Sequence, residues 1–358
     1  MLIKKYNIIL SMAKKGFSEA NAMRYAPCAM RIIILTISFF IFFTGKEKVL
    51  AQLTVSNALT PAQLVQNVLL GPGVIATNIT FNGDALQRGT FDATNAILGI
   101  DSGVILSSGD INVAIGPNNS GSATLPGGGF NGPGDPDLDI IVSPSGSNDA
   151  AVLEFDFIPI GDTIRFNYVF ASEEYPEFVG STFNDAFGFF ISGPGIVGPY
   201  SSPLPAFPNG SVNIALIPGG ATPVTINNVN NGTTNTGPCM NCAYYINNGD
   251  GSTPPCNTDP QCIQFDGRTV VLEAVFPVQC SQTYHIKLAI ADAGDAILES
   301  GVFLEAASFR TECVEVSFIT ITGDSTIVEG CSDATFTFWR SDSTSDTTIY
   351  FEIAGNAI

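Results

Sequence analysis

The sequence predicts an all-β protein: a jelly-roll-like β-sandwich with long loops, followed by the first strands of a second, Ig-like β domain. Three observations lead there. The 36 Gly and 22 Pro among 358 residues are the composition of many short strands joined by turns. Several runs alternate apolar and polar residues with period two, most clearly Ile164, Phe166, Tyr168 and Phe170 against Thr163, Arg165 and Asn167, the mark of a strand with one buried face. No stretch carries long helical periodicity; the one short helix expected lies in residues 60–70, TPAQLVQNVLL, with Thr60 as N-cap and Pro61 in the first turn.

Residues 1–51 read as an export signal. Arg31 precedes an apolar run over 32–43 and the small residue Ala51, a basic, apolar, small-residue order. The run is short of the ~20 residues a membrane span needs. Met30 and Met23 are alternative starts, and the mature chain is expected to begin at Gln52, with no membrane span after cleavage. Eight of the 14 basic residues but only two of the 33 acidic ones precede Gln52, which leaves 6 against 31 and a net charge of −25 for the rest. That balance opposes nucleic acid and anionic membranes as partners and favours metal cations.

Residues 52–313 form the expected sandwich. Strands are predicted over 152–158, 163–170, 186–192, 212–217, 224–229, 269–276, 284–290 and 302–306, with 118–136 as a Gly-, Pro- and Asn-rich loop and 230–267 as a polar insertion. The runs ending at Phe170 and starting at Ala186 read as a hairpin with a long connection. Residues 314–358 continue as fresh strands at 314–321, 334–339 and 347–353, too few to bury a core of their own.

The candidate chemistry is acidic. Glu173, Glu174 and Glu177 follow one strand of that hairpin, and Asn184 and Asp185 precede the other. No Lys or Arg lies among them. Such oxygen-rich clusters repel themselves unless solvent or a cation neutralises them, so a structural Ca²⁺ is expected. Asp185 is expected beside Glu173 or Glu174 but not both, because neighbours on an extended chain face opposite sides. Asp292 or Asp295 would complete the shell from the loop after the 284–290 strand. Asp135, Asp137 and Asp139 form a further acidic group.

Catalytic readings fare worse. His285, the single histidine, sits with Lys287 on the strand face opposite Tyr284, Ile286 and Leu288, and both are expected to be solvated. Glu173 and Glu174 cannot flank one glycosidic bond from opposite faces of a strand; Glu173 with Asp185 could, but carboxylates at loops are usually solvated or metal-bound. A carbohydrate-binding module would need displayed aromatics, for which Tyr175, Phe178 and Tyr200 are candidates. Cys239, Cys242, Cys256 and Cys262 have a loosely zinc-like spacing, but disulfides are the expectation for an exported chain. Cys280 and Cys313 are a further expected pair, with Cys331 left over.

Three motifs in order, LEFDFIPIGDTIRFNYVFASEEYPEFVGSTFNDAFGFFISGPG, NIALIPG and TYHIKLAIADAGDAILESGVFLEAASF, resemble the choice-of-anchor L domain of secreted bacterial proteins. The resemblance spans roughly residues 80–310. It implies an exported domain carried with variable modules and surface anchors, common in Bacteroidetes-type bacteria, with no established enzyme activity. The tail STIVEGCSDATFTFWRSDSTSDTTIYFEIAGNAI resembles the opening of a Calx-beta domain, which implies a Ca²⁺-liganding role for Glu329. The sequence therefore leads to a secreted or outer-surface, adhesin-like, non-enzymatic module with structural calcium and an extracellular glycan or protein ligand. The alternatives are a carbohydrate-binding module and a glycoside hydrolase.

Overall fold

A computed structural model describes residues 6–8, 52–124, 129–311, 315–320 and 334–339. The chain divides into two compact units, Ala51–Glu312 in one and Met1–Leu50 with Cys313–Ile358 in the other. In the smaller unit, Glu315–Thr320 and Tyr6–Ile8 both pair antiparallel with Ala334–Trp339. The expected strand at 347–353, the apolar run at 32–43 and Glu329 lie outside the described residues. Among the described residues no helix is long and apolar enough to cross a membrane.

The larger unit is a sandwich of two antiparallel sheets, as its alternating pattern predicts. Its strands, numbered within this unit, are β1 Thr54–Ser56, β2 Val74–Asn82, β3 Arg88–Asp92, β4 Ser102–Ser107, β5 Ser147–Pro159, β6 Thr163–Ser172, β7 Ala186–Ser192, β8 Val212–Asn213, β9 Tyr245–Asn247, β10 Gly267–Thr269, β11 Leu272–Pro277, β12 Tyr284–Ala293, β13 Ser300–Glu305 and β14 Arg310–Thr311. One sheet has the order β9-β10-β6-β13-β4-β3-β1, with β11 and β14 also paired to β6; the other has the order β2-β5-β12-β7-β8.

The predicted hairpin is corrected. β6 and β7 do not pair but lie in different sheets, and residues 173–185 carry the chain across the sandwich. The period-two pattern says which side chains turn inward, not which strand is the neighbour. Here the two inward rows meet face to face across the core. Phe166 lies 4.9 Å from Phe189 and Phe170 lies 5.0 Å from Phe187, centroid to centroid. Phe155, Phe157, Ile286, Leu288, Val302 and Leu304 continue the same core.

Both outer faces are covered as well. Ile105, Val169, Ala171 and Phe303 pack under Leu98, Ile100, Ile111, Ile263 and Phe265. On the far sheet, Val152, Phe190, Ala289 and Ala291 pack under Leu138 of the Pro136–Val142 helix. That helix went unread in the sequence because only its cap announces it. Asp135 accepts from the N–H groups of Asp137 and Leu138 at 2.9 and 3.2 Å, and Pro136 occupies the first turn, where it loses no hydrogen bond.

The predicted Thr60 cap is present: its hydroxyl accepts from Gln63 N–H at 3.3 Å while Gln63 reaches back to the Thr60 N–H. Of the two strands expected over 212–217 and 224–229, only Val212–Asn213 forms. The rest is held by single bridges, Leu216 to Pro223 and Thr225 to Ala186.

Candidate functional site

The inward rows of both sheets end in polar residues at the same end of the sandwich. Along β6 the row Phe166, Tyr168 and Phe170 continues to Ser172 and Glu174. Before β7 the row of Phe189 and Phe187 extends back to Asp185. On β12 the row of Ile286, Leu288 and Ile290 ends at Asp292. Ser108 and Ser300 close the corresponding rows beside β4 and β13. Glu174, Asp185 and Asp292 thus cap the hydrophobic core, each 1% exposed or less.

Asp185 is the organised member. Its Oδ1 accepts from Ala293 N–H at 2.8 Å and its Oδ2 from the Ser300 hydroxyl at 2.7 Å. Burial raises its pKa to about 7, with those two hydrogen bonds resisting the rise. Glu174 is pushed to about 10, first by burial and then by the charges of Asp185, Asp295 and Glu177. Asp292 is held well above the usual carboxylate range by burial and by Asp185 and Glu299. Neither of its oxygens meets a donor at hydrogen-bond geometry, but its carboxyl lies against that of Asp185, near enough for the two to share a proton. The Ser108 hydroxyl, which accepts from the Ser300 N–H at 2.9 Å and points its own proton at Ser300 O only at 3.4 Å, is near enough to resist the rise at Asp292.

The other candidates lie elsewhere. The Asn184 amide oxygen accepts from Asn227 N–H at 2.8 Å. Asp295 is half-buried at the edge of the group; it accepts from Ile297 N–H at 3.3 Å. Glu173 turns to the opposite face of its sheet, where its carboxyl meets the charge of Asp266. Asp266 was missed in the sequence because it lies inside the polar insertion; its signal is the short strand Gly267–Thr269 that follows it. Among the described residues no three His, Cys, Asp or Glu side chains converge to grip a metal ion by themselves. Two carboxylates with carbonyl and water oxygens are the donor set this end of the sandwich offers.

The expectation that His285 and Lys287 are solvated is corrected. They do point away from the inter-sheet core, but the Pro136–Val142 helix and the loop following β7 cover that face. Lys287 Nζ lies 2.9 Å from each Asp135 carboxylate oxygen, also bonds Asp137, and sits 4.9 Å over the Phe190 ring. His285 Nδ1 meets Asp156 Oδ1 at 2.8 Å and Nε2 meets Glu154 Oε1 at 3.4 Å.

Tyr175 is fully buried with its hydroxyl donating to Val229 O at 2.7 Å. Tyr200 packs 4.8 Å from Phe190, and Phe178 5.3 Å from Phe183. None of the three is laid out as a flat sugar platform. The insertion's cysteines form Cys239–Cys242 and Cys256–Cys262 disulfides rather than a zinc site. Cys280 carries an exposed free thiol, and Cys313 and Cys331 lie outside the described residues.

No curated protein and no solved structure matches the chain. A family model described as the choice-of-anchor L domain matches residues 53–310, the span of the whole sandwich from β1 to the start of β14. The chain therefore belongs to the choice-of-anchor L family and contains a secreted or cell-surface β-sandwich module.

Proposed function

We propose that the module serves in surface interaction within a larger adhesin-like protein, and that a structural Ca²⁺ bound through the two carboxylates Asp185 and Asp292, with Glu174 beside them, closes one end of its sandwich. Asp292 carries this reading: a fully buried carboxyl with no donor on either oxygen, whose charged neighbours are acidic. Burying such a group is costly unless a cation or a proton neutralises it. Calcium takes six to eight oxygens at about 2.3–2.6 Å. Asp292 would supply carboxylate oxygens, and Asp185, held in place by Ala293 and Ser300, a further lone pair. Backbone carbonyls and water would have to furnish the remainder.

The same burial supports a non-enzymatic reading of these carboxyls. Carboxyl groups sealed this completely cannot flank a glycosidic bond, which needs an open cleft between two of them. The second reading, a carbohydrate-binding module, rests on a separate cleft of about 410 Å³ lined by Asp156, Phe207, Asn209 and Gln282 among others. A carboxylate, an aromatic ring and two amides are side chains suited to a sugar. A glycan array separates the readings, since the calcium proposal requires no glycan.

The test of the calcium reading is thermal unfolding of the full chain with CaCl₂ and with EDTA, alongside Asp292→Asn. An ion at 100 times its dissociation constant adds about 2.7 kcal/mol to stability, and each kcal/mol moves the midpoint by roughly 2–4 °C in a domain of this size. The expected shift on chelation is thus about 5–11 °C in the wild type and much smaller in the variant. An unchanged midpoint, with no calcium retained after purification, would remove the metal and leave a protonated acidic cap.

A further inference from the structure

Glu173 and Asp266 stand apart from the cap described above. On the ladder shared by β6 and β10 the register runs Ala171 opposite Arg268 and Ser172 opposite Gly267. The next step places Glu173 opposite Asp266. Side chains directly opposite on antiparallel strands have Cβ atoms about 4.5–5.5 Å apart, and like charges there destabilise the sheet. Neither residue has any exposed surface.

Each carboxyl has one oxygen held and one left over. Glu173 Oε2 accepts from Ala123 N–H at 3.3 Å and Asp266 Oδ1 from the Asn118 amide at 2.8 Å. Glu173 Oε1 and Asp266 Oδ2 have no hydrogen-bond partner. Gln264, near Glu173, directs its amide protons to Asn118 Oδ1 at 3.2 Å and Ser120 O at 2.7 Å. Arg268, two pairs along the ladder and so on the same face as Asp266, gives its Nη1 to the carbonyls of Leu98 and Thr269, both at 3.2 Å. Backbone oxygen is close by: a Cβ on Gly121 would lie 2.5 Å from Asp250 O and 3.5 Å from Asp266 Oδ2. The glycine leaves that space open.

We infer that Glu173 and Asp266 form a second divalent-cation site, on the opposite face of the sheet from Glu174 and Asp292. Two facing carboxylates with carbonyl oxygen at hand are a hard-oxygen donor set of the kind calcium selects. The ion would tie three separate segments together: the end of β6, the loop 118–124, and the disulfide-stapled insertion where it re-enters the sheet at β10. This site has its own pair of side chains and does not rest on the proposed cap site. A proton shared between the two carboxyls is the competing way to satisfy the same oxygens.

The experiment uses the full chain stripped with EDTA and titrated with CaCl₂, read by calorimetric stoichiometry and by hydrogen exchange. Wild-type protein is expected to show at least tenfold slower exchange in segments 118–124 and 248–267 when calcium is added. Asp266→Asn, which keeps an acceptor for Asn118, is expected to bind one calcium fewer and to lose that protection. Asp292→Asn is expected to keep it. Exchange in those segments that is indifferent to calcium in the wild type overturns the inference, and this measurement needs no variant to fold. Wild-type stoichiometry in Asp266→Asn overturns it as well. The cap reading fails separately, if Asp292→Asn binds as many ions as the wild type while Asp266→Asn binds one fewer.

Discussion

Lys287→Met tests whether the outer face of the β2-β5-β12-β7-β8 sheet is a structural interior. In the native protein the ammonium group serves Asp135 and Asp137, with side-chain exposures of 8%, 9% and 3% for the three residues. Solvent screening is therefore slight, and the pair cannot be discounted as a surface salt bridge. Methionine matches the stem and keeps the contact with Phe190 but strands two buried carboxylates. Removing one partner of a buried ion pair costs about 3–5 kcal/mol. At roughly 2–4 °C per kcal/mol, the midpoint should fall by about 6–20 °C. Scanning calorimetry at pH 7, run both in CaCl₂ and in EDTA, keeps the metal state common to both proteins. Adding Asp135→Asn and Asp137→Asn to Lys287→Met should recover most of the loss. The amides still accept from the helix N–H groups and from Ser201 N–H, which lies 2.7 Å from Asp137, while the stranded charges are gone. A fall of less than about 2 °C for Lys287→Met alone would refute the reasoning and return Lys287 to the solvated surface.

Three other perturbations have defined outcomes. Asp185→Ala orphans the buried Ala293 N–H and Ser300 hydroxyl at about 1–3 kcal/mol each, a loss that thermal unfolding should register even in EDTA. For His285, burial opposes protonation but the bonds to Glu154 and Asp156 prevail and raise the pKa. Its contribution is full below the unfolded value of about 6.5 and is lost as pH rises through the higher folded value. His285→Gln should therefore destabilise at pH 5.5 more than at pH 8.5, and equal losses at both would show that no proton is bound more tightly in the fold. Gly103→Ala would set a Cβ 1.8 Å from Leu304 O, a clash between paired backbones of β4 and β13. Failure to fold, or a midpoint lowered by more than 10 °C, is expected, and a midpoint near the wild type would mean the two strands are not so paired.

The sequence carried the inward rows well and the neighbours poorly. Alternation in Phe166–Tyr168–Phe170 and in Phe187–Phe189 located strands and faces, because burial repeats every second residue. It could not tell a hairpin partner from a strand in the facing sheet, since both bury the same row. The same parity explains why Glu174, Asp185 and Asp292 all lie at one end of the core although their strands are spread over two sheets: each is the next inward step of an apolar row. Glu173 failed to join them for the same reason. Lys287 was read as solvated because nothing on its own strand reveals a cover. That cover comes from Asp135 and a helix more than a hundred residues earlier, a long-range fact that local pattern does not encode. Asp266 was passed over because a strand of three residues, Gly267–Thr269, is too short for a period to show.

The pairing of β6 sets the order in which this chain can be finished. All four of its partners, β10, β11, β13 and β14, lie between Gly267 and Thr311, and β5 waits for β12 in the same way. A chain delivered N-terminus first, through a ribosome or a translocation pore, cannot close one sheet before Ala293 has followed, nor the other before Thr311. Contacts this distant in sequence make folding slow. A polypeptide that must cross a membrane unfolded gains from that delay, because its aromatic rows stay unpaired while it is being threaded. The same rows are then exposed to aggregation until the last strands arrive, so the large negative charge that surrounds them also acts as protection in transit.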